Sequence, residues 1–143
     1  AVINGTPVSG ATIDEPIGRS PRDRLKMAVN ERGRDAVTHY RIQERFEHHT
    51  HLRVKLETGR THQIRVHLAH QRMPLVGDAL YGGGGARGTG LSEPTRAVLQ
   101  NFRRQALHAR ELGFAHPVSG ELLNFSAEMP QDMQQLIAAL RAG

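Results

Sequence analysis

Two stretches of alternating apolar and polar residues place the strongest constraint on the fold. Within residues 36–47 and 51–57 every second position tends to be apolar, as at Leu52, Val54 and Leu56. This alternation is typical of half-buried strands, because successive side chains on a strand point to opposite faces of a sheet. The three residues between the stretches are polar and fit a turn. We therefore predict two neighbouring antiparallel strands.

A helix is predicted directly after the second of these strands. Gly59 permits a sharp turn, and Thr61 is a candidate N-cap for a helix that runs from residue 62 to about residue 72. Ile64 and Leu68 lie four residues apart and give this helix one apolar side.

The other predicted elements mix strands and helices. They are a hairpin over 1–17, an irregular loop over 18–35, a flexible glycine-rich loop over 82–90, a helix over 93–102 capped by Ser92, strands near 106–114 and 122–127, and a helix from Pro130 with an apolar stripe of Met133, Leu136, Ile137 and Leu140. The order lacks the regular βαβ alternation of a doubly wound sheet. The sequence therefore predicts an α+β fold, with a mainly antiparallel mixed sheet flanked by helices.

Composition limits the classes of function. Lys and Arg number 19 against 14 Asp and Glu, which gives a net charge of +5. This surplus favours an anionic partner, with nucleic acid as the first candidate and an ordinary basic domain as the alternative. The absence of cysteine excludes disulfide scaffolds, zinc–thiolate sites, iron–sulfur clusters and cysteine nucleophiles. No apolar run approaches 18 residues, so we expect no membrane partner.

Much of the positive charge lies in the loop over 18–35. Its first half contains Arg19, Arg22, Arg24 and Lys26, with Asp23 as the acidic residue among them. An RNA-contacting loop and a solvated loop both fit this pattern.

The nine histidines do not form a convincing metal site. Within the predicted helix after Gly59, only His67 and His70 have a spacing that suits zinc, and that helix supplies no acidic partner. Nothing resembles the strand–turn–helix serine motif of a hydrolase. We predict no metal.

Two arginines, Arg60 and Arg65, flank the start of the predicted helix. The N-terminus of a helix favours anions, and these side chains suit either a phosphate or a carboxylate. Solvated surface arginines are the alternative.

The run Gly-Arg-Thr-His-Gln-Ile-Arg over 59–65 resembles the hallmark of RNA pseudouridine synthases of the large-subunit ribosomal, RluA-like family. Segments 74–78, 81–83, 105–109, 116–120 and 130–133 match that family in order and spacing. Segments 14–17, 27–29 and 36–40 are most similar to its D branch, which acts on 23S ribosomal RNA. The resemblance covers essentially the whole chain.

The resemblance implies a cofactor-free, cytoplasmic isomerase with ribosomal RNA as its partner. Such enzymes flip a uridine out of the RNA, break its N1–C1′ bond and rejoin the ring through C5. A basic surface holds the RNA backbone. This implication favours the RNA-contacting interpretation of Arg19, Arg22, Arg24 and Lys26.

The resemblance also implies roles for residues of this chain. Arg65 corresponds to the basic partner of the family's catalytic aspartate, Arg60 to a phosphate or pocket residue, and Leu107 to an apolar pocket position. Gly59, His62 and Gln63 belong to the motif and are expected to have structural roles. The buried polar side chains of His62 and Gln63 are expected to hold the turn by hydrogen bonds.

The catalytic aspartate of the family lies in a His-Arg-Leu-Asp motif, and none of the five aspartates of this chain fits it. Asp78 follows the arginine segment instead of preceding it and is interpreted as a turn residue. Tyr40 and Tyr81 match positions other than the base-stacking tyrosine of the family's Tyr-x-Ala motif. Arg65 is therefore expected to lack its acidic partner within these residues.

We accordingly expect residues 1–143 to be the C-terminal part of a pseudouridine synthase catalytic domain. Its partner would be the upstream half of the same domain, with the aspartate and tyrosine, and an S4-like domain would also lie upstream. The isolated chain is expected to be inactive, and to aggregate or pair through exposed apolar surface. The alternative is a non-catalytic RNA-binding module derived from the same family.

Overall fold

The computed structural model describes the whole backbone and every side chain except that of Phe114. The strands are β1 (Val2–Asn4), β2 (Ala11–Asp14), β3 (Ile17–Arg19), β4 (Met27–Val29), β5 (Val37–Arg45), β6 (His49–Leu56), β7 (Glu111–Ala115) and β8 (Leu122–Ser126), and the helices are α1 (Gln63–His70), α2 (Glu93–Asn101) and α3 (Gln131–Ala142). All the strand pairs along this backbone are antiparallel. The predicted α+β class is confirmed.

The long hairpin of β5 and β6 forms the centre of a four-stranded sheet with the order β1-β6-β5-β2. Tyr40 lies opposite Val54, and Leu52 lies opposite Ile42. Tyr40 and Leu52 are buried, so the alternation in the sequence corresponds to one covered face and one open face. Both strands predicted from this alternation are present.

The predicted hairpin over 1–17 is wrong. β1 pairs with β6 and β2 pairs with β5, so the two strands lie at opposite edges of the sheet. The physical reason is burial: Val2 and Ile3 are both fully buried, and each joins a different hydrophobic cluster. Burial of β1 on both faces, together with the backbone hydrogen bonds that its outer edge makes with Pro74, Val76 and Ala106, outweighs the local turn preference of Asn4-Gly5.

The segment 18–35, predicted to be an irregular loop, contains the small hairpin of β3 and β4. Ile17 and Arg34 exchange backbone hydrogen bonds of 2.9 Å. A Cβ atom on Gly33 would lie 2.3 Å from the carbonyl carbon of Ile17. Only a glycine at this position allows the two backbones to come so close.

The packing of α2 on α3 agrees with prediction. The Oγ atom of Ser92 accepts a hydrogen bond from the Thr95 N–H at 3.3 Å and caps α2. Met133, Leu136, Ile137 and Leu140 of α3 are all buried, together with Val2 and Leu99. The predicted apolar stripe is thus the side of α3 that forms the core.

The strand predicted near residue 106 begins only at Glu111. Ala106 is fully buried, donates its N–H to the Val76 carbonyl and accepts from the Val2 N–H, so this segment joins other backbone partners. The β7–β8 hairpin leaves Leu112 and Leu122 exposed. The expected aggregation or pairing stays a prediction. None of the helices in the described chain is long and apolar enough to span a membrane.

His49 at the start of β6 is completely buried and lies opposite Asn4 of β1. Among the described residues, neither ring nitrogen of His49 has a hydrogen-bond partner, and the Asn4 Oδ1 atom has none either. Burial, with smaller contributions from the charges of His48 and Arg87, lowers the pKa of His49 to about 4. The folded state therefore holds this histidine neutral.

We expect the Leu136→Ala substitution to lower the free energy of unfolding by roughly 2–5 kcal/mol, because it leaves a cavity in a fully packed core. Urea denaturation measures the loss. Gln135→Ala changes an exposed neighbour on the same helix and should have little effect. Equal losses in the two variants would contradict the described packing of α3.

The buried His49 predicts a loss of stability in mild acid. Its pKa falls from an ordinary 6.5 to about 4 on folding, so the unfolded chain binds more protons between these values. The contribution is complete above pH 6.5 and is lost as the pH falls toward 4.

Unfolding free energies measured across this range should show a shallower slope for His49→Gln than for the unaltered protein. His70→Gln, at an exposed position, should retain the original slope. An unchanged slope in His49→Gln would disprove the role of this histidine.

Candidate functional site

The turn between β6 and α1 is held by Gln63 and not by the predicted cap. Helix α1 begins after His62, whose φ of 55° is left-handed and whose side chain does not cap the helix. The Oε1 atom of Gln63 accepts hydrogen bonds from the Thr58 hydroxyl at 2.7 Å and from the Arg60 N–H at 3.0 Å. The prediction of Thr61 as N-cap is wrong. The sharp change of direction predicted for Gly59 occurs at His62.

Gln63 also ties α1 to the central sheet. Its Nε2 atom donates to the Val37 carbonyl and to the Thr38 hydroxyl oxygen, each at 3.0 Å. Gln63 is only 3% exposed, so these bonds satisfy a buried amide that would otherwise oppose folding.

His67 extends this buried network. Its Nε2 atom lies 2.9 Å from the Glu15 carbonyl, and its Nδ1 atom lies 2.7 Å from the Thr38 hydroxyl. A carbonyl only accepts, so Nε2 carries the proton and Nδ1 accepts from Thr38. Burial lowers the pKa of His67. With both nitrogens engaged, His67 has no lone pair for a metal, and no candidate metal cluster occurs among the described residues.

Arg65 projects from α1 into a two-point ion pair with Asp78. Its Nε and Nη2 atoms each lie 2.9 Å from a carboxylate oxygen. The Asp78 side chain is 1% exposed and that of Arg65 is 15% exposed. The hydrogen bond to Asp78 raises the pKa of Arg65, so the guanidinium keeps its charge. Arg65 therefore does have an acidic partner in this chain, Asp78, but Asp78 does not stand in the His-Arg-Leu-Asp motif of the family's catalytic aspartate. The pairing of Arg65 with that aspartate stays a prediction.

A closed turn positions Asp78. Gly77 has a φ of 79°, and a Cβ atom there would lie 2.1 Å from the Arg104 carbonyl oxygen. Gly83 donates to the Asp78 carbonyl at 2.7 Å and accepts from the Gly77 N–H at 3.0 Å. Asp78 Oδ1 also accepts from the Tyr81 N–H at 3.4 Å, so the predicted turn role is present beside the ion pair.

Tyr81 connects this ion pair to the hairpin of β3 and β4. We call this hairpin, with Arg19, Arg22, Arg24 and Lys26, the basic hairpin. The Cζ atom of Arg65 lies 4.9 Å from the centre of the Tyr81 ring. The Tyr81 hydroxyl accepts from the Met27 N–H at 2.9 Å and lies 2.7 Å from Nδ1 of His62. Burial and the charge of Arg65 lower the pKa of His62, against the opposing effect of Asp78, so His62 is neutral at physiological pH. We call Arg65, Asp78, Tyr81 and His62 the Arg65 cluster.

Comparison with known proteins places this arrangement in a family. A sequence model described as RNA pseudouridylate synthase matches residues 1–70. Ribosomal large subunit pseudouridine synthase D of Xanthomonas campestris pv. campestris is 60% identical over 141 residues, which cover 99% of this chain and 43% of that protein. The protein of the same name from Escherichia coli K12 is 54% identical over 142 residues, covering 99% of this chain and 44% of its own length.

The chain belongs to the RNA pseudouridylate synthase family. It spans less than half the length of these curated relatives. Human RNA Pseudouridylate Synthase Domain Containing 4 superposes with a TM-score of 0.75 at 25% identity, covering 99% of this chain and 60% of that one. For Human RNA Pseudouridylate Synthase Domain Containing 1 the TM-score is 0.70 at 25% identity, with coverage of 100% and 64%. The fold and the family predicted from the sequence are confirmed.

Within this RNA pseudouridylate synthase fold, the other residues predicted for the site are spread over three places. Arg60 donates from Nε to the Asp35 carbonyl at 2.8 Å, at the entrance to β5. Leu107 is half-buried against the cluster that includes Leu68 of α1. The remaining set lies on the basic hairpin, where three are exposed and the last is half-buried: Arg19, Arg22, Arg24 and Lys26.

Sequence reasoning missed Asp78 and Tyr81 as members of the cluster. The signal for Asp78 is its apolar surroundings: Leu75 and Val76, just before it, are fully buried. A carboxylate in such a segment needs a cation or several donors to offset its desolvation. The partner, Arg65, lies 13 residues away across a helix and a turn, so only the folded structure identifies the pair.

We expect Asp78→Asn to destabilise the fold by about 3 kcal/mol, because it leaves the largely buried Arg65 without its counter-charge. Thermal or urea unfolding measures the loss. Glu44→Gln breaks the exposed pair between Glu44 and Arg141 and should change stability little. A loss as small for Asp78→Asn as for Glu44→Gln would show that the Arg65 pair is not structural.

Proposed function

We propose that this chain serves the isomerisation of uridine to pseudouridine in 23S ribosomal RNA, as the C-terminal part of a pseudouridine synthase catalytic domain. The observation that carries the proposal is the Arg65 cluster, built from the motif that resembles the family's hallmark. Large-subunit ribosomal RNA as substrate is supported by the names of the relatives, which are 60% and 54% identical over nearly the whole chain.

Arg65 has a free edge for a second anion. Asp78 binds its Nε and Nη2 atoms, and among the described residues Nη1 has no hydrogen-bond partner. Because a guanidinium presents five donors in a rigid plane, an arginine that is fixed on one edge is oriented in advance on the other. We assign Arg65 as the basic partner of the catalytic aspartate, which lies outside these 143 residues. Asp78 then acts as a positioning residue.

The other predicted residues fit supporting roles in this proposal. Arg60 is anchored on Asp35, and Leu107 supplies apolar surface near α1. The hairpin with Arg19, Arg22, Arg24 and Lys26 contacts RNA phosphates by charge. It is joined to the Arg65 cluster through the Met27–Tyr81 hydrogen bond, so RNA bound there lies near the reacting nucleotide.

The 143 residues alone are proposed to be inactive. None of their aspartates stands in a His-Arg-Leu-Asp motif, and the proposed chemistry needs that carboxylate. The required partner is the upstream half of the same catalytic domain. The same absence favours a second candidate function, an RNA-binding module without chemistry. Such a module would not need to be part of a longer enzyme.

Tritium release from ribosomal RNA labelled at uridine C5 tests the proposal. The 143-residue chain should release none, whereas the protein extended upstream through a His-Arg-Leu-Asp segment should turn over. In that longer protein Arg65→Gln should reduce the rate by roughly 100-fold or more, since it removes a preorganised charge.

Arg103→Gln changes an exposed arginine off the central sheet and serves as the matched control. Turnover by the short chain would overturn the claim of inactivity. RNA binding without tritium release in the longer protein would support the non-catalytic alternative. Full activity of Arg65→Gln would remove the proposed role of Arg65.

A further inference from the structure

The face of the central sheet that points away from α1 carries a concentration of positive charge. Thr38 and Tyr40 of β5 point inward, and Thr38 meets His67 of α1. Alternation along the strand therefore directs Arg41 outward. We call the outward surface of β2, β5 and β6 the open face; its ionisable residues are His39, Arg41, Arg53, Lys55 and Glu57, with Asp14 at the end of β2.

Two like charges face each other at the centre of the open face. Arg41 of β5 is the direct cross-strand partner of Arg53 of β6. Like charges in this position destabilise a sheet. Arg53 has a loose, exposed contact of 3.6 Å with Glu111. Arg41 and Lys55 have no ion-pair partner among the described residues.

Of the two acidic residues on the open face, Asp14 lies at the end of β2 and Glu57 is already engaged. The Glu57 carboxylate lies 2.7 Å from Nε2 of His39, and Nδ1 of His39 lies 2.7 Å from the Thr12 hydroxyl. The Glu57 carboxylate is therefore bound to His39 at the edge of the face beside β2 and does not neutralise the arginines at its centre. Arg41, Arg53 and Lys55 therefore leave an excess of positive charge on the open face, which attracts anions from outside the chain.

The shape and spacing of the open face fit a phosphate backbone. The segment from Gly10 to Thr12 lines one groove together with Arg53 and Lys55. These two side chains are two residues apart on one strand, or about 6.6 Å, which is comparable to the distance between neighbouring phosphates of one RNA strand.

Base recognition does not fit this surface. Proteins that bind single strands stack bases on exposed aromatic side chains. Tyr40 lines the groove, but it is only 8% exposed and lies in the core. Among the described residues, the groove therefore offers cations without an exposed aromatic ring on which a base could stack. Double-helical RNA is recognised mostly by shape and by phosphate contacts.

We propose that the open face binds the phosphate backbone of a double-helical segment of the RNA substrate. This inference rests on the proposed function. The Arg65 cluster belongs to the α1 side of the sheet, so this is a second contact, made by RNA that flanks the target nucleotide. It supplies affinity and orientation without reading sequence.

The test compares RNA binding by the purified full-length protein with and without Arg41→Gln and Lys55→Gln. The logarithm of the binding constant for a ribosomal RNA hairpin is measured against the logarithm of salt concentration. The slope should be shallower by about 0.9 for each cation removed, and by about 1.8 in the double variant. The Arg103→Gln control should retain the original slope. The Arg103→Gln control should also retain pseudouridine formation.

Stability gives a second readout that a purely structural arginine would not produce. Arg41→Gln removes the cross-strand repulsion with Arg53, so its melting temperature should rise while its affinity for RNA falls. A lower melting temperature would indicate that Arg41 stabilises the sheet, and would overturn the proposal.

The remaining outcomes separate this inference from the proposed function. Pseudouridine formation with an unchanged salt slope in the double variant would leave the proposed function intact and overturn the open-face contact. An equal change in Arg103→Gln would show diffuse charge and overturn it as well. Preference of the unaltered protein for anionic lipid vesicles over RNA would also overturn it. Failure of the unaltered protein to bind or modify ribosomal RNA would overturn both.

Discussion

The buried hydrogen-bond chain through Gln63, Thr38 and His67 is the interaction on which the rest of the site depends. Gln63 donates to Thr38, Thr38 donates to His67, and His67 donates to the Glu15 carbonyl. Each member is buried, so loss of one partner leaves another polar atom unsatisfied. These hydrogen bonds fix both the position of α1 on the sheet and the rotation of α1 about its own axis. The direction in which Arg65 projects follows from that rotation.

The residues around Arg65 are positioned by its ion pair and by hydrogen bonds to the backbone. Asp78 fixes two donors of the guanidinium, and Tyr81 lies against its plane. The Tyr81 hydroxyl in turn holds Met27 of the basic hairpin. The hairpin also packs against α1, because Met27 and Val29 lie on the hydrophobic cluster that contains Val66. It is thereby held at a defined distance from the Arg65 cluster. This arrangement makes the cluster a structural unit as well as a chemical one.

Features that depend on local pattern were predictable from the sequence. The alternation before Glu57 gave the central hairpin, Ser92 gave the start of α2, and the spacing of Met133 and Leu136 gave the buried side of α3. The motif at 59–65 gave the family. Each of these depends on residues that are near one another in the chain.

Features that depend on distant partners were not predictable. Asn4-Gly5 is a strong local turn signal, yet the full burial of Val2 sends β1 to the opposite edge from β2. The cap of α1 comes from Gln63, whose other bonds reach β5. From the sequence, Asp78 is predicted only as a turn residue. Its pairing with Arg65 exists only once the helix and the turn are packed together.

The closed turn from Gly77 to Gly83 has a consequence for how this family can change. The Gly83 carbonyl accepts from the Gly77 N–H and from the Asn4 side chain, so the turn is closed at the first residues of the glycine-rich loop. At its other end that loop is held by the His48 side chain, 2.8 Å from the Thr89 carbonyl. Insertions or deletions between these two anchors leave Asp78 in place. Evolution can therefore lengthen or shorten this loop to suit new RNA shapes while the ion pair beneath it stays unchanged.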